Sequence, residues 1–402
     1  MLTDRIRTLV LYSSYLGTKK ASYYTDWLDA FQDCPYFEVT ARNIVPAYLK
    51  VSNPSKYRDP EGLNFKRRLT AYQFFYESYS RCYAFLMKLL IRNKVIWDFS
   101  EIPNYDFIVL LHSTNTASLL PLFLLESYLK NRKGKLLVFM GNEYYLMPEK
   151  IRFINNVEAD FVASQLPKEA ATWLYGDCMN SKVLSIPHAL NSKVYKPYKD
   201  HKERNIDIGF IGDKYNFTIG DIERTELAEY FIRNDFIPKL SKDIRLGSKL
   251  RIPREEYVGF LNSARGTIGG ESGTYYLEKT DKTQKKAEAF LSRHPKATFS
   301  DVYDEFFKNY SNPINGKAIS SRHFEVVGTK TCQILLEGNY NGILKPDTHY
   351  ISLRKDYSNM NDVIKRFNDK SYVQKMVDDT YEYVIGNHTL GNRIHGVWKA
   401  VS

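Results

Sequence analysis

DFIVLLHSTNTASLLPLFLLESYLKNRKGKLLVFM, residues 106–140, is the stretch on which the fold turns. Asp106 to His112 (DFIVLLH) is short, almost wholly apolar and followed by polar residues, as a strand buried on both faces should be. Thr116 to Lys130 is helical in pattern, and Lys135 to Met140 (KLLVFM) is a second buried strand. The alternation continues downstream. Pro148 to Val157 and Pro167 to Tyr175 read as helices, Asp160 to Ser164 and Lys182 to Ile186 as strands. Upstream, Ile6 to Tyr12 and Phe37 to Val45 are expected strands, separated by a loop (Ser13 to Lys20) and a helix (Tyr23 to Phe31). Strands alternating with helices of this length imply βαβ units and a parallel, doubly wound sheet. Polar residues follow the strand ends: His112 and Ser113, Asn142 and Glu143, Ser164 and Gln165. The ligand crevice of an open α/β sheet lies outside those ends, which makes His112 a catalytic or acceptor-side candidate.

The chain has 402 residues, enough for two domains of about 200. With 43% hydrophobic and 14% aromatic residues it can fill two cores, and long disorder is not expected. A net charge of +11 points to acidic partners such as nucleotide phosphates, nucleic acid or an anionic membrane. Cys34, Cys82, Cys178 and Cys332 have no metal-site or disulfide spacing and read as reduced thiols. Asp4, Arg5 and Arg7 precede no signal-peptide pattern, and Leu119 to Leu125 is too short to span a bilayer. A cytoplasmic protein is expected, with peripheral contact at the inner face of a membrane as an option.

That option rests on residues 64–94, expected to be helical, where Lys66, Arg67 and Arg68 open a run of cations interleaved with Tyr and Phe. Such a run suits an anionic membrane or a bulky acceptor. Two helices with aromatic core faces and a wet basic side explain it too, and are the commoner arrangement.

Lys193 to Arg204 is charged and reads as a linker between a first half, residues 1–191, and a second, residues 206–385. Ile206 to Ile211 opens a new sheet; Arg224 to Asn234 and Glu255 to Ala264 are expected helices, Ile244 to Leu250 and Thr267 to Gly269 strands. Residues 279–315 are charged and helical in character and read as an insertion. Ser320 and Ser321 are candidate N-caps of a helix whose first turn carries Arg322, His323 and Glu325. The apolar Cys332 to Leu336 and then His349 to Leu353 follow as strands, and helices complete the chain, the last (386–402) crossing the cleft. No phosphate-loop, dinucleotide, Asp-x-Asp or His-Glu-x-x-His pattern occurs, so no metal or cofactor is expected.

The two-domain order, Pro187 to Pro197 and the runs SRHFEVVGTKTCQILLEG and ILKPDTHYI resemble the group-one glycosyltransferases, in particular their spore-maturation and polysaccharide branch. The resemblance covers residue 105 to the end. It implies the GT-B fold, two Rossmann-like halves facing across a donor cleft. It also implies metal-free, retaining transfer of a sugar from a nucleotide sugar to a glycan or lipid-linked acceptor. The family carries two glutamates with seven residues between them; here they fall on Glu271 (in GGESGT) and Glu325, with the insertion splitting the pair. The first would act beside the donor sugar and the second would hold the ribose. Arg322 and the amides of Ser320 and Ser321 would take the diphosphate, and Gly212 and Ser272, Gly273 and Thr274 would form further walls. A sugar- or nucleotide-binding protein without catalysis and a nucleic-acid-modifying transferase are the alternatives, the second disfavoured by the lack of any nucleic-acid motif.

Overall fold

The computed structural model describes residues 5–12, 23–44, 99–112, 119–233, 240–247, 250, 252–311 and 314–402. The basic and aromatic run of residues 64–94 lies outside them.

The first half is one parallel sheet in the order β2-β1-β3-β4-β5-β6. Its strands are β1 (Ile6–Tyr12), β2 (Phe37–Asn43), β3 (Phe107–His112), β4 (Lys135–Met140), β5 (Phe161–Ser164) and β6 (Lys182–Ser185). The helices are α1 (Tyr23–Asp33), α2 (Leu120–Lys130), α3 (Met147–Asn156) and α4 (Lys168–Leu174). Successive side chains on a strand point to opposite faces, and the core obeys that rule. Leu9, Leu11, Ile108, Leu110, Leu136 and Val138 pack on one face beneath α2 and α3. Val10, Phe107, Val109, Leu111, Leu137 and Phe139 pack on the other, against Trp27 and Phe31 of α1. Removing one such side chain costs about 2–5 kcal/mol.

The second half is a parallel sheet in the order β11-β10-β9-β7-β8. It comprises β7 (Ile206–Gly212), β8 (Lys242–Leu246), β9 (Ala264–Gly269), β10 (Cys332–Leu336) and β11 (Ile351–Leu353). Its helices are α5 (Glu223–Arg233), α6 (Arg254–Ser263), α7 (Lys282–Arg293), α8 (Phe299–Phe306), α9 (Ser321–Gly328), α10 (Met360–Asn368) and α11 (Lys370–Asn387); α12 (Leu390–Val401) ends the chain. The strand order reverses between β7 and β9, so the loops after Gly212 and Gly269 diverge and leave a crevice at their ends.

Three features tie the halves together. The charged stretch from Lys193 to Arg204 is packed, with Tyr195 and Arg204 both buried. The chain crosses back beside it, where Leu190 accepts from Leu390 N–H and donates to His388 O, each at 2.9 Å. Leu390, Ile394, Val397 and Val401 of α12 then join the core of the first sheet.

The expected insertion is an excursion with a closed neck. Gly316 N–H donates to Thr274 O at 2.8 Å, and Ser272 and Ala318 exchange both backbone bonds. Gly273 is required there: its φ is +90°, and a Cβ would fall 2.1 Å from Gly316 O. Inside the excursion α7 and α8 bury Ala287, Val302 and Phe307 among aromatic neighbours.

Candidate active site

The crevice of the second sheet is built around two arginines. Gly212 ends β7, and Arg322, in the first turn of α9, lies across that end with its guanidinium 5.7 Å from the Phe210 ring. A Cβ on Gly212 would sit 3.1 Å from Arg322 Nη1 and closer still to the Phe210 ring, so glycine keeps this approach open. Arg224, in the first turn of α5, covers the Tyr215 ring at 4.2 Å. Burial lowers the pKa of Arg224, and the charge of Arg322 lowers it further. Arg322 Nη1 and Arg224 Nε are both buried without a hydrogen-bond partner. Two like charges with unmet donors are costly unless an anion joins them.

Glu325 stands half-buried one turn along α9. Burial raises its pKa; Arg322, a hydrogen bond from Ser321, Arg254 and a hydrogen bond from Tyr195 oppose that rise. Arg254, at the start of α6, also meets Asp26 and, at 3.8 Å, Asp29, both on α1 of the first half. Asn191 donates to Asp26 at 2.7 Å, so this carboxylate is held between the halves. Tyr257, whose pKa burial pushes up to about 12, interacts with Arg322, Glu325 and Arg224.

Ser320 is the N-cap of α9 and Ser321 its first helical residue. His323 turns away from the crevice: Ser320 N–H donates to its Nδ1 at 3.0 Å, and its ring meets Tyr340 edge-on. Glu271 is buried beside α9, where one oxygen accepts Tyr340 N–H at 2.7 Å. The Ser272–Ala318 pairing brings Glu271 and α9 together despite their distance in sequence. Ser272 spends its backbone on that bridge, and Thr274 Oγ1 donates to Ile219 O at 2.7 Å. His112 ends β3 in register with Met140, and residues 113–118 after it lie outside the described residues.

The structure thus gathers Gly212, Ser320, Ser321, Arg322 and Glu325 at one crevice and sets Glu271 behind them. Sequence reasoning missed Arg224, Arg254 and Tyr257, which look like ordinary helix-start residues. It missed Lys317 as well, the position that the seven-residue spacing selects ahead of Glu325. Lys317 is buried and bonded to Asp221 at 2.5 Å, with Glu223 at 3.5 Å.

No protein-family model matches this sequence, and no curated protein does. Solved structures are similar over almost the whole chain. An alpha-glucosyltransferase (AGT) in complex with UDP has a TM-score of 0.55 at 9% identity, covering 98% of this chain and 99% of its own. Anabaena HepE in complex with UDP-glucose has a TM-score of 0.50 at 9% identity, covering 98% and 99%. The N-terminal domain of the Candida albicans trehalose-6-phosphate phosphatase has 0.50 at 11%, covering 100% and 97%. At these identities the likeness is one of architecture, and the architecture is the GT-B fold of two facing parallel α/β sheets.

Proposed function

We propose that this chain is a glycosyltransferase that takes its sugar from a nucleoside diphosphate sugar bound in the crevice between β7, β9 and α9. The observation that carries this reading is the pair of buried, unmatched guanidinium nitrogens on Arg322 and Arg224. When the glycosidic bond to the diphosphate breaks, negative charge grows on the leaving oxygens. Two fixed cations and the first amides of α9 are suited to stabilise that charge without a metal ion. Glu325 has the place and chemistry to accept the ribose hydroxyls. AGT and HepE, which share the fold, are complexes with UDP and with UDP-glucose respectively. That supports a uridine diphosphate sugar as the first donor to try.

Transfer with retention, to a glycan or a lipid-linked acceptor at the first half, is the finer form of the proposal and rests on the resemblance to group-one enzymes. A peripheral membrane contact through Lys66, Arg67 and Arg68 belongs with it. Among the described residues, no helix is long and apolar enough to cross a membrane.

One observation favours a second reading, binding without transfer. Lys317, already paired internally, stands at the position where the family spacing calls for a carboxylate. Titration with UDP and UDP-glucose in EDTA, followed by assay of donor hydrolysis, separates the two. Binding with slow release of glucose supports the transferase, binding with no turnover supports the second reading, and no binding of either nucleotide removes both.

A further inference from the structure

The loop after β4 in the first half, residues 141–146, is fixed more firmly than a connection requires. Asn142 and Leu146 both have left-handed backbone angles, φ 50° and 56°, which non-glycine residues adopt at a cost. Lys150 holds the loop from below. It is 0% exposed, and its amine donates to Gly141 O at 2.8 Å and Asn142 O at 2.9 Å. Glu143 holds it from the side by accepting Gln165 N–H at 2.9 Å. Asp281 of the excursion holds it from across the cleft, accepting Met147 N–H at 3.1 Å.

What this rigid loop presents is Tyr144. The ring lies in a small pocket whose other walls belong to the second half, among them Thr218, Ile219, Thr274 and Tyr276. Thr218 and Ile219 belong to the loop after β7 and Thr274 to the loop after β9, the two loops that border the crevice. The phenol interacts electrostatically with Tyr215 and with Arg224, one of the two arginines with an unmatched nitrogen.

We propose that Tyr144 is a donor-site residue lent by the first half, its phenol O–H donating to the diphosphate that Arg224 and Arg322 hold. This rests on the reading of the crevice as a diphosphate site and adds a residue from the opposite sheet to it. Burial pushes the pKa of Tyr144 up to about 12, so the group is a neutral donor throughout the physiological range. A hydrogen bond reaching the anion from one half, with two cations on the other, makes the ligand a strut across the cleft. Binding then favours the closed arrangement, because only there does the anion meet all three groups.

The test is calorimetric titration of the full chain with inorganic pyrophosphate and with UDP. Tyr144→Phe deletes one oxygen and keeps the ring, and its melting temperature should match the parent's. Its affinity for both ligands should fall roughly tenfold or more, the loss of a hydrogen bond to a charged group. Arg322→Gln is the companion variant. If Arg322→Gln weakens binding while Tyr144→Phe does not, the role of Tyr144 is overturned and the diphosphate site stands. If the parent binds neither pyrophosphate nor UDP, the diphosphate site itself is wrong and the inference goes with it.

Discussion

Arg204 and Arg322 are the same residue type in the same half of the molecule, and they occupy opposite kinds of environment. Arg204 is 6% exposed, yet its guanidinium donates to Ala264 O, Thr331 Oγ1, Thr329 O and Lys199 O at 2.8–3.1 Å. It ties the end of the interdomain stretch to the far ends of β9 and α9. Arg322 lies over an aromatic ring beside a second arginine, with a buried nitrogen that meets nothing. A satisfied buried cation is part of the scaffold. On the proposed reading, the unsatisfied pair is where the donor's diphosphate completes the hydrogen bonding. The difference teaches that two buried cations of one type can differ in what they still offer: Arg204 is filled by protein oxygens, and Arg322 keeps a donor unused.

The comparison breaks first at Arg204. Arg204→Met removes a buried cation and strands three carbonyls and a hydroxyl. Urea unfolding should show a loss of about 3–5 kcal/mol, with nucleotide affinity unchanged in whatever protein remains folded. Arg322→Gln should do the reverse, leaving the unfolding midpoint near the parent's and weakening UDP. A large stability loss at Arg322, or none at Arg204, would undo the distinction.

Glu325→Gln is next in size. If the carboxylate takes the ribose hydroxyls, the variant should lose about 1.5–3 kcal/mol of UDP affinity. Its affinity for inorganic pyrophosphate, which has no ribose, should stay at the parent's level. Equal losses for both ligands would make Glu325 a support for Arg322 instead.

The smallest expected effect is on pH. His188, just after β6, and His323 of α9 are buried and interact with each other. Burial holds both pKa values down to about 3. The neighbouring charge of Arg393 adds to this at His188, and Arg322 and Arg224 add to it at His323. A histidine whose folded pKa lies below its unfolded value of about 6.5 contributes stability above that value. The contribution is lost as pH falls toward the folded value. Melting temperature should therefore drop between pH 6.5 and pH 4, and His188→Gln should flatten the slope. A profile unchanged by that substitution would assign the acid sensitivity elsewhere.

The central strands of both sheets were legible because they are buried on both faces. Apolar runs such as KLLVFM and CQILL coincide with β4 and β10, residues 135–140 and 332–336. The edge of the second sheet was harder to read. Lys242, Asp243 and Arg245 make the start of β8 look like a loop, whereas Arg245 and Asp243 pair along the strand and Gly247 ends it. Helix α9 and its cap could be read from Ser320 onward, and with them Arg322 and Glu325. Arg224 could not, because a cation in the first turn of a helix ordinarily faces water. The closeness of Glu271 to α9 was out of reach as well. It depends on one antiparallel bridge, Ser272 to Ala318, at the neck of a long excursion, and no local pattern encodes such a pairing.

The central claim is that Arg224 and Arg322 together hold a diphosphate without a metal ion. The most direct measurement is calorimetric titration of UDP, in EDTA, into the parent chain and the Arg224→Gln, Arg322→Gln double variant. The account predicts binding by the parent with the metal removed, and loss of that binding in a double variant that still unfolds cooperatively. A parent that binds UDP only when magnesium or manganese is restored, or a double variant that binds as tightly as the parent, would contradict it.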